Sequence, residues 1–218
     1  MRFVITAGPT REYLDPVRFL SNPSTGTMGF AVARAARAAG HEVTLVAGPV
    51  VLKTPAGVTR LDVVSARDML AAVERVLLEE TETPTVLVMT AAVADWRPAQ
   101  CAMVKLKKSQ MSGTLKLVRN PDILKTLAST WPPSPKRVRI GFAAETGAPT
   151  AEAARKCREK KLDLVVGNDV TQRGCGFGTR TNQVTFVTPD GQSRRLPMMG
   201  KLAVARRIVA YAEGLVDG

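Results

Sequence analysis

Residues 2–47 read RFVITAGPTREYLDPVRFLSNPSTGTMGFAVARAARAAGHEVTLVA, and they carry the plan of the whole chain. The apolar, β-branched run from Arg2 to Thr6 stops at Gly8-Pro9, and an irregular stretch follows from Thr10 to Thr25. An alanine-rich segment with helical spacing then begins near Gly26, runs to Ala39 and is stopped by Gly40, after which Glu42 to Ala47 is again short and apolar. A strand, a crossover helix and a second strand in this order place the two strands side by side and parallel.

The same alternation continues outward. Val58–Val64 reads as a strand, and Ser65-Ala66-Arg67-Asp68 has the spacing of a capping box for a helix running to about Glu80. Thr85–Thr90 is a strand behind Pro84, and Asn120-Pro121-Asp122 predicts an N-cap, a proline at the first helical position and an acid in the first turn of a helix reaching about Ser129. Arg137–Ala143, Thr150–Lys161 and Leu162–Gly167 read as strand, helix and strand. The expected fold class is therefore α/β, a Rossmann-like, mostly parallel sheet with helices on both faces. After Asn168-Asp169 the texture changes: Gly174, Gly176 and Gly178 punctuate a loop, and Asn182–Thr188 and Ser193–Leu196 flank Asp190-Gly191 as a hairpin does. A last helix spans about Met199–Leu215. The expectation is one domain over 1–218, with a small hairpin lobe on the main sheet at about 172–198.

Composition narrows the function classes. Of 218 residues 45% are hydrophobic and 23% charged, the balance of an ordinary globular protein. No segment reads as a signal peptide or a membrane span, so the expected address is cytoplasmic. Cys101, Cys157 and Cys175 are odd in number and too far apart for a CxxC pair, which suggests reduced thiols without a disulfide or zinc role. The single histidine, His41, lies between a helix and a strand and reads as a solvated turn residue. A net charge of +12 calls for an anionic partner, either nucleic acid or a small phosphorylated substrate. Aromatic residues make up 5% and are not interleaved with the basic ones, which disfavours a stacking platform for single strands.

In an open parallel sheet ligands bind beyond the carboxyl ends of the strands. Gly8, Ser24, Gly26 and Gly29, between the first strand and first helix, are candidates for a phosphate loop, where bare amides and a helix dipole favour anions; the plainer reading is that the glycines only make turns. This is not a P-loop, since the one Gly-Lys pair, Gly200-Lys201, is followed by Leu202. Nor is it a nicotinamide site, because the second strand exits through Ala47-Gly48-Pro49 without an acid for a ribose, and neither Tyr13 nor Tyr211 has a lysine four residues on. Asp95 follows the small residues Thr90-Ala91-Ala92-Val93-Ala94, which leave room for a flat ligand, and it reads either as a site acid or as a cap of the next segment. Lys105, Lys107 and Lys108 form either an exposed basic edge or a flap whose lysine closes over a phosphate. Lys156 and Lys160, four apart, share one helix face, which is either solvated or turned to an anion.

Taken together, Ile5-Thr6-Ala7-Gly8-Pro9-Thr10-Arg11-Glu12, Asp15-Pro16-Val17-Arg18, Ser21-Asn22, Ser24-Thr25-Gly26 with Met28-Gly29-Phe30, Ala91-Ala92-Val93-Ala94-Asp95, Lys105-Leu106-Lys107-Lys108, Asn120-Pro121-Asp122-Ile123, Gly141-Phe142-Ala143-Ala144-Glu145-Thr146 and Asn168-Asp169-Val170 resemble phosphopantothenoylcysteine synthetase. The resemblance runs in order from Arg2 to the end of the chain. It implies a phosphopantothenate-cysteine ligase of coenzyme A biosynthesis, which joins 4′-phosphopantothenate to L-cysteine through an acyl-cytidylate, with CTP as co-substrate and Mg²⁺ as cofactor. In many bacteria that enzyme is half of a fusion with a flavin-dependent decarboxylase; this chain resembles the synthetase half, so no flavin is implied and the decarboxylase is expected as a separate partner.

Carried onto matching positions, the resemblance implies that Asn22 holds the acyl-nucleotide intermediate and Lys105 acts on the phosphates, as the two catalytic residues. It places Met89, Thr90, Ala91, Asp95, Pro121, Asp122, Ile123, Leu124, Phe142, Lys156 and Lys160 around the nucleotide. Thr27 departs from the family, which often has lysine there, and Arg18 or Arg11 is a candidate replacement. A homodimer is expected by analogy, without membrane or nucleic-acid partners. The competing class is a basic nucleic-acid-binding module on the same fold, which predicts salt-dependent binding and no nucleotide turnover. The metal ligands and the choice of CTP over ATP are not fixed by the residues alone.

Overall fold

The computed structural model describes residues 1–79, 81–107, 113–145 and 150–217. In chain order the elements are β1 (Arg2–Ala7), β2 (Arg11–Tyr13), β3 (Phe19–Ser21), α1 (Thr27–Ala38), β4 (Glu42–Ala47), β5 (Thr59–Asp62), α2 (Ala66–Leu77), β6 (Thr85–Met89), β7 (Trp96–Pro98) and β8 (Leu117–Arg119). They continue with α3 (Ile123–Thr130), β9 (Arg137–Glu145), α4 (Thr150–Glu159), β10 (Leu164–Asp169), β11 (Thr181–Asn182), β12 (Val184–Val187), β13 (Ser193–Arg195), β14 (Met199–Gly200) and α5 (Lys201–Asp217).

Eight strands form the central sheet in the order β13-β12-β10-β9-β6-β1-β4-β5. All pairs from β10 to β5 are parallel, and β12 and β13 add to one edge antiparallel. The chain builds outward from β1 to β4 and β5, then returns to β6 on the other side of β1. The order of connection thus reverses between β1 and β6, which opens a crevice beyond their carboxyl ends. Alternate residues of each strand face opposite layers. Phe3, Ile5, Val43, Leu45, Val86 and Val88 pack with α1 and α5 on one face. Val4, Val46, Leu87 and Met89 pack with α2 and α3 on the other, where Val165 and Val187 meet α4.

The capping box forms: the Asp68 amide donates to Ser65 Oγ at 3.2 Å and the Ser65 amide donates to Asp68 Oδ2 at 2.9 Å. Buried Glu12 takes a further first-turn amide, that of Ala66, at 2.9 Å. Several expectations need correction. Asp122, not Asn120, caps α3, accepting from the Lys125 amide at 3.1 Å, because the Asn120 side chain is used elsewhere. His41 is not a solvated turn residue: its ring stacks on Phe3 with centroids 5.0 Å apart, and Nε2 meets Glu213 at 2.8 Å. The expected hairpin forms as β12–β13 and continues the main sheet from the edge of β10, and Val170, Gly176, Phe177 and Asn182 of the preceding loop line the crevice. The stretch expected to be irregular contains the β2–β3 ribbon.

Candidate nucleotide-binding crevice

The crevice has a volume of about 830 Å³. It is built from the exits of β6, β9 and β10 and the first turns of α1, α3 and α5. Of the predicted residues it gathers Asn22, Ser24, Gly26, Gly29, Met89, Thr90, Ala91, Asp95, Pro121, Asp122, Ile123, Leu124, Phe142, Lys156 and Lys160. Two are not on its wall. Gly8 has a positive φ of 79°, where an added Cβ would stand 2.9 Å from Val50 Cγ1, so the turn there calls for glycine. Lys105 is exposed and outside the lining, on the segment that springs from the β7–β8 ribbon, and Lys108 lies outside the described residues. Arg119, Asn182 and Lys201, which no motif in the sequence marks, also line it.

At the α1 end, Gly26 is the N-cap in the left-handed region (φ 77°), no side chain caps the helix, and no acid sits in its first turn. Amides without intrahelical partners and the positive end of the helix dipole thus face the crevice. Gly29 lets the helix come this close. A Cβ there would stand 2.5 Å from both Ala7 Cβ and Thr90 Oγ1.

The strand exit after β6 is held from several sides. Asn22 Nδ2 donates to the carbonyls of Ala92 (3.2 Å) and Val93 (3.3 Å). Buried Thr10 accepts from the Ala94 amide at 3.0 Å, and Asn120 Nδ2 donates to the Ala94 carbonyl at 2.8 Å. Thr90 Oγ1 donates to the Thr6 carbonyl at 2.6 Å. These bonds fix the backbone that a flat ligand would approach and leave the Asp95 side chain exposed in the crevice, where it caps no segment among the described residues.

Opposite, Lys160 Nζ pairs with Asp122 Oδ2 at 2.9 Å, tying α4 to the first turn of α3. Burial pushes the Asp122 carboxyl up, but its bonds to Lys160 and the Lys125 amide outweigh this and hold it below the ordinary value. Lys156 reaches Glu152 at 3.7 Å. Both lysines line the cavity.

The base of the Lys105 segment is anchored to the β2–β3 turn. Asp15, fully buried, accepts from the Val17 and Arg18 amides at 2.9 and 2.8 Å, from Arg18 Nε at 3.0 Å and from the Leu106 amide at 3.2 Å. The Arg18 guanidinium, above all, holds its carboxyl well below the usual range. The stabilisation from a depressed carboxylate is complete above the unfolded value, near 4, and is lost as the pH falls towards the folded value. We expect Asp15→Asn to lower the melting temperature at pH 7, and the deficit to shrink as acid titrates the wild type. A deficit unchanged down to about pH 2 would contradict this.

The fold and the crevice define an open α/β protein with an anion-receptive site at its topological switch point. The chain belongs to the DNA/pantothenate metabolism flavoprotein C-terminal domain family, whose model matches residues 1–215. It is 42% identical over 215 residues to the coenzyme A biosynthesis bifunctional protein CoaBC of Vibrio vulnificus (98% of this chain, 52% of the relative), and 45% identical over 207 residues to that of Bacillus subtilis (94% and 49%). The chain thus spans about half the length of these curated relatives. Among solved structures, the C-terminal domain of a CoaBC protein superposes with a TM-score of 0.81 at 40% identity, covering 99% of this chain and 95% of that one. No group of three or more metal-ligating side chains occurs among the described residues, and no helix among them is long and apolar enough to cross a membrane.

Proposed function

We propose that the chain is a CTP-dependent phosphopantothenate-cysteine ligase acting in coenzyme A biosynthesis in the cytoplasm, as the counterpart of the C-terminal half of the bifunctional relatives. The observation that carries this reading is the convergence of three helix N-termini, Asn22, Asp95 and the Lys156–Lys160 face on one crevice. In the first step a carboxylate oxygen of 4′-phosphopantothenate attacks the α-phosphorus of CTP. The bond to the bridging oxygen breaks, and its electron pair leaves with pyrophosphate. In the second step the amine of L-cysteine attacks the acyl carbon, CMP departs with the electron pair of the acyl–oxygen bond, and the surplus ammonium proton goes to water.

Both steps are served by charge placement and positioning, which suits a crevice lined by lysines and amides and by no histidine. In this reading the nucleotide base lies by Phe142 and the α3 turn, where carbonyls and amides of Met89–Ala91 and Pro121–Leu124 distinguish cytosine from adenine by their donor and acceptor pattern. Mg²⁺ keeps most of its ligands from phosphate and water and needs one or two protein carboxylates; Asp95, exposed in the crevice, fits that demand and would hold the ion, which supplies charge neutralisation. In this reading Lys105 acts on the phosphates in the first step.

A phosphopantothenoylcysteine decarboxylase acts on the product. The exposed apolar side chains Val17, Phe19, Leu20 and Trp96 on the two ribbons are where a homodimer would form. Release of pyrophosphate that depends on CTP and 4′-phosphopantothenate, followed by CMP on adding L-cysteine, tests the reaction; no pyrophosphate and no uptake of CTP would overturn it. Lys105→Gln is expected to slow the first step by about 10²–10³-fold while leaving CTP affinity within a few-fold, measured by single-turnover pyrophosphate release.

A further inference from the structure

Helix α5 also starts at the crevice. It packs along α1, and the His41–Glu213 bond joins the end of α1 to the distal part of α5, so the two helices run parallel with both N-termini at the same edge of the sheet. The first residue of α5 is Lys201, whose side chain lines the crevice although the residue is only 7% exposed. Among the described residues its ammonium has one partner, the carbonyl of Gly176 at 3.2 Å. An ammonium carries three donors, so this bond leaves two unmatched. Neither of the carboxylates lining the crevice is bonded to it: Asp122 is taken by Lys160, and the Asp95 side chain has no bond to Lys201.

The surroundings point the same way. Asn182, buried on the crevice wall, pairs with Met199 just ahead of α5 and brings no charge to offset the ammonium. A buried ammonium without a carboxylate is costly, and burial lowers the pKa of Lys201 accordingly. The positive end of the α5 dipole adds to the same sign of charge. Two parallel helix ends and a desolvated lysine without a carboxylate therefore make a place that favours an anion.

We propose that Lys201 is a phosphate ligand in this crevice: its ammonium binds the terminal phosphates of the nucleoside triphosphate and stays with pyrophosphate as the bond to the α-phosphate breaks. The assignment rests on the nucleotide reading of the crevice. It transfers no proton; the N–H groups donate to oxygens whose charge grows as the electron pair moves to the bridging oxygen. It also separates labour across the sheet, with the base end at Phe142 and α3 and the polyphosphate end between α1 and α5.

Calorimetric titration of wild type, Lys201→Met and Lys201→Arg with CTP, inorganic pyrophosphate, CMP and cytidine tests it. Lys201→Met is expected to weaken CTP and pyrophosphate by about tenfold or more, as loss of a charged hydrogen bond should, while CMP and cytidine change by less than about twofold. Lys201→Arg should recover part of the pyrophosphate affinity. Equal loss for CTP and CMP, or no loss for CTP, would overturn the assignment and leave the nucleotide reading standing. A wild type that takes up none of these ligands would remove both. Should Lys201→Met fail to fold, acetylation of Lys201 in the wild type, followed by peptide mass spectrometry, gives the same decision. Protection by pyrophosphate but not by cytidine supports the assignment, and equal labelling with and without pyrophosphate overturns it.

Discussion

Asn22→Asp is expected to leave the fold standing and to cut product formation by about 10²–10³-fold, the scale of removing a preorganised donor from a site that stabilises developing charge. Asn22 Nδ2 donates to two successive carbonyls at the β6 exit, 3.2 and 3.3 Å away. A carboxylate has no hydrogen to give and would face two carbonyl oxygens, pushing the 91–95 segment away from the first turn of α1. It would also set a negative charge at the mouth of a site that we read as binding a polyphosphate. Asn22 is exposed, so the change costs little in stability. The check is a quench experiment that follows the acyl-cytidylate and its leakage into solution before cysteine is added. Wild-type yield and retention in the variant would show that Asn22 does not hold the intermediate.

Gly29→Ala is expected to destabilise the protein itself. The new methyl would sit 2.5 Å from Ala7 Cβ and Thr90 Oγ1 and 2.9 Å from the Thr6 carbonyl, so α1 must lift from the ends of β1 and β6. Overpacking of this kind costs about 1–3 kcal/mol, which for a chain of this size lowers the melting temperature by roughly 2–12 °C. Because the lifted end is the anion-binding turn, CTP affinity should fall as well, in contrast to an ordinary core substitution. Calorimetric unfolding with and without CTP measures both effects. A variant as stable as the wild type would mean that the helix end accommodates the methyl without strain.

Much of this arrangement is legible in the sequence, for identifiable reasons. β1, β4 and β6 are short β-branched runs bounded by glycine, proline or polar turns, and the helices between them carry caps and stops of their own, so local chemistry and tertiary layout agree. A parallel sheet sends every strand exit to one edge, which makes the place of the crevice legible, while the gathering of positions as far apart as Asn22 and Lys160 into it is what the family resemblance implied. What local signals miss are partnerships between distant segments. Asn120 looks like a helix cap, but its amide is spent on the Ala94 carbonyl; His41 looks solvated, but Glu213, far along the chain, covers it. The neighbours of Lys201 spell no phosphate motif, and only the packing of α5 beside α1 brings it to the crevice.

The far edge of the sheet has a consequence of another kind. β13, residues Ser193–Arg195, is the last strand, and all three of its residues are exposed. An unpaired strand edge is a template on which another chain can polymerise, and natural proteins guard such edges with short length and like charge. Three residues ending in two arginines do both. Reversing that charge to glutamate would remove the repulsion against a chain of net +12, so this edge, distant from all the chemistry, is where substitutions should decide whether the concentrated protein stays dispersed or aggregates.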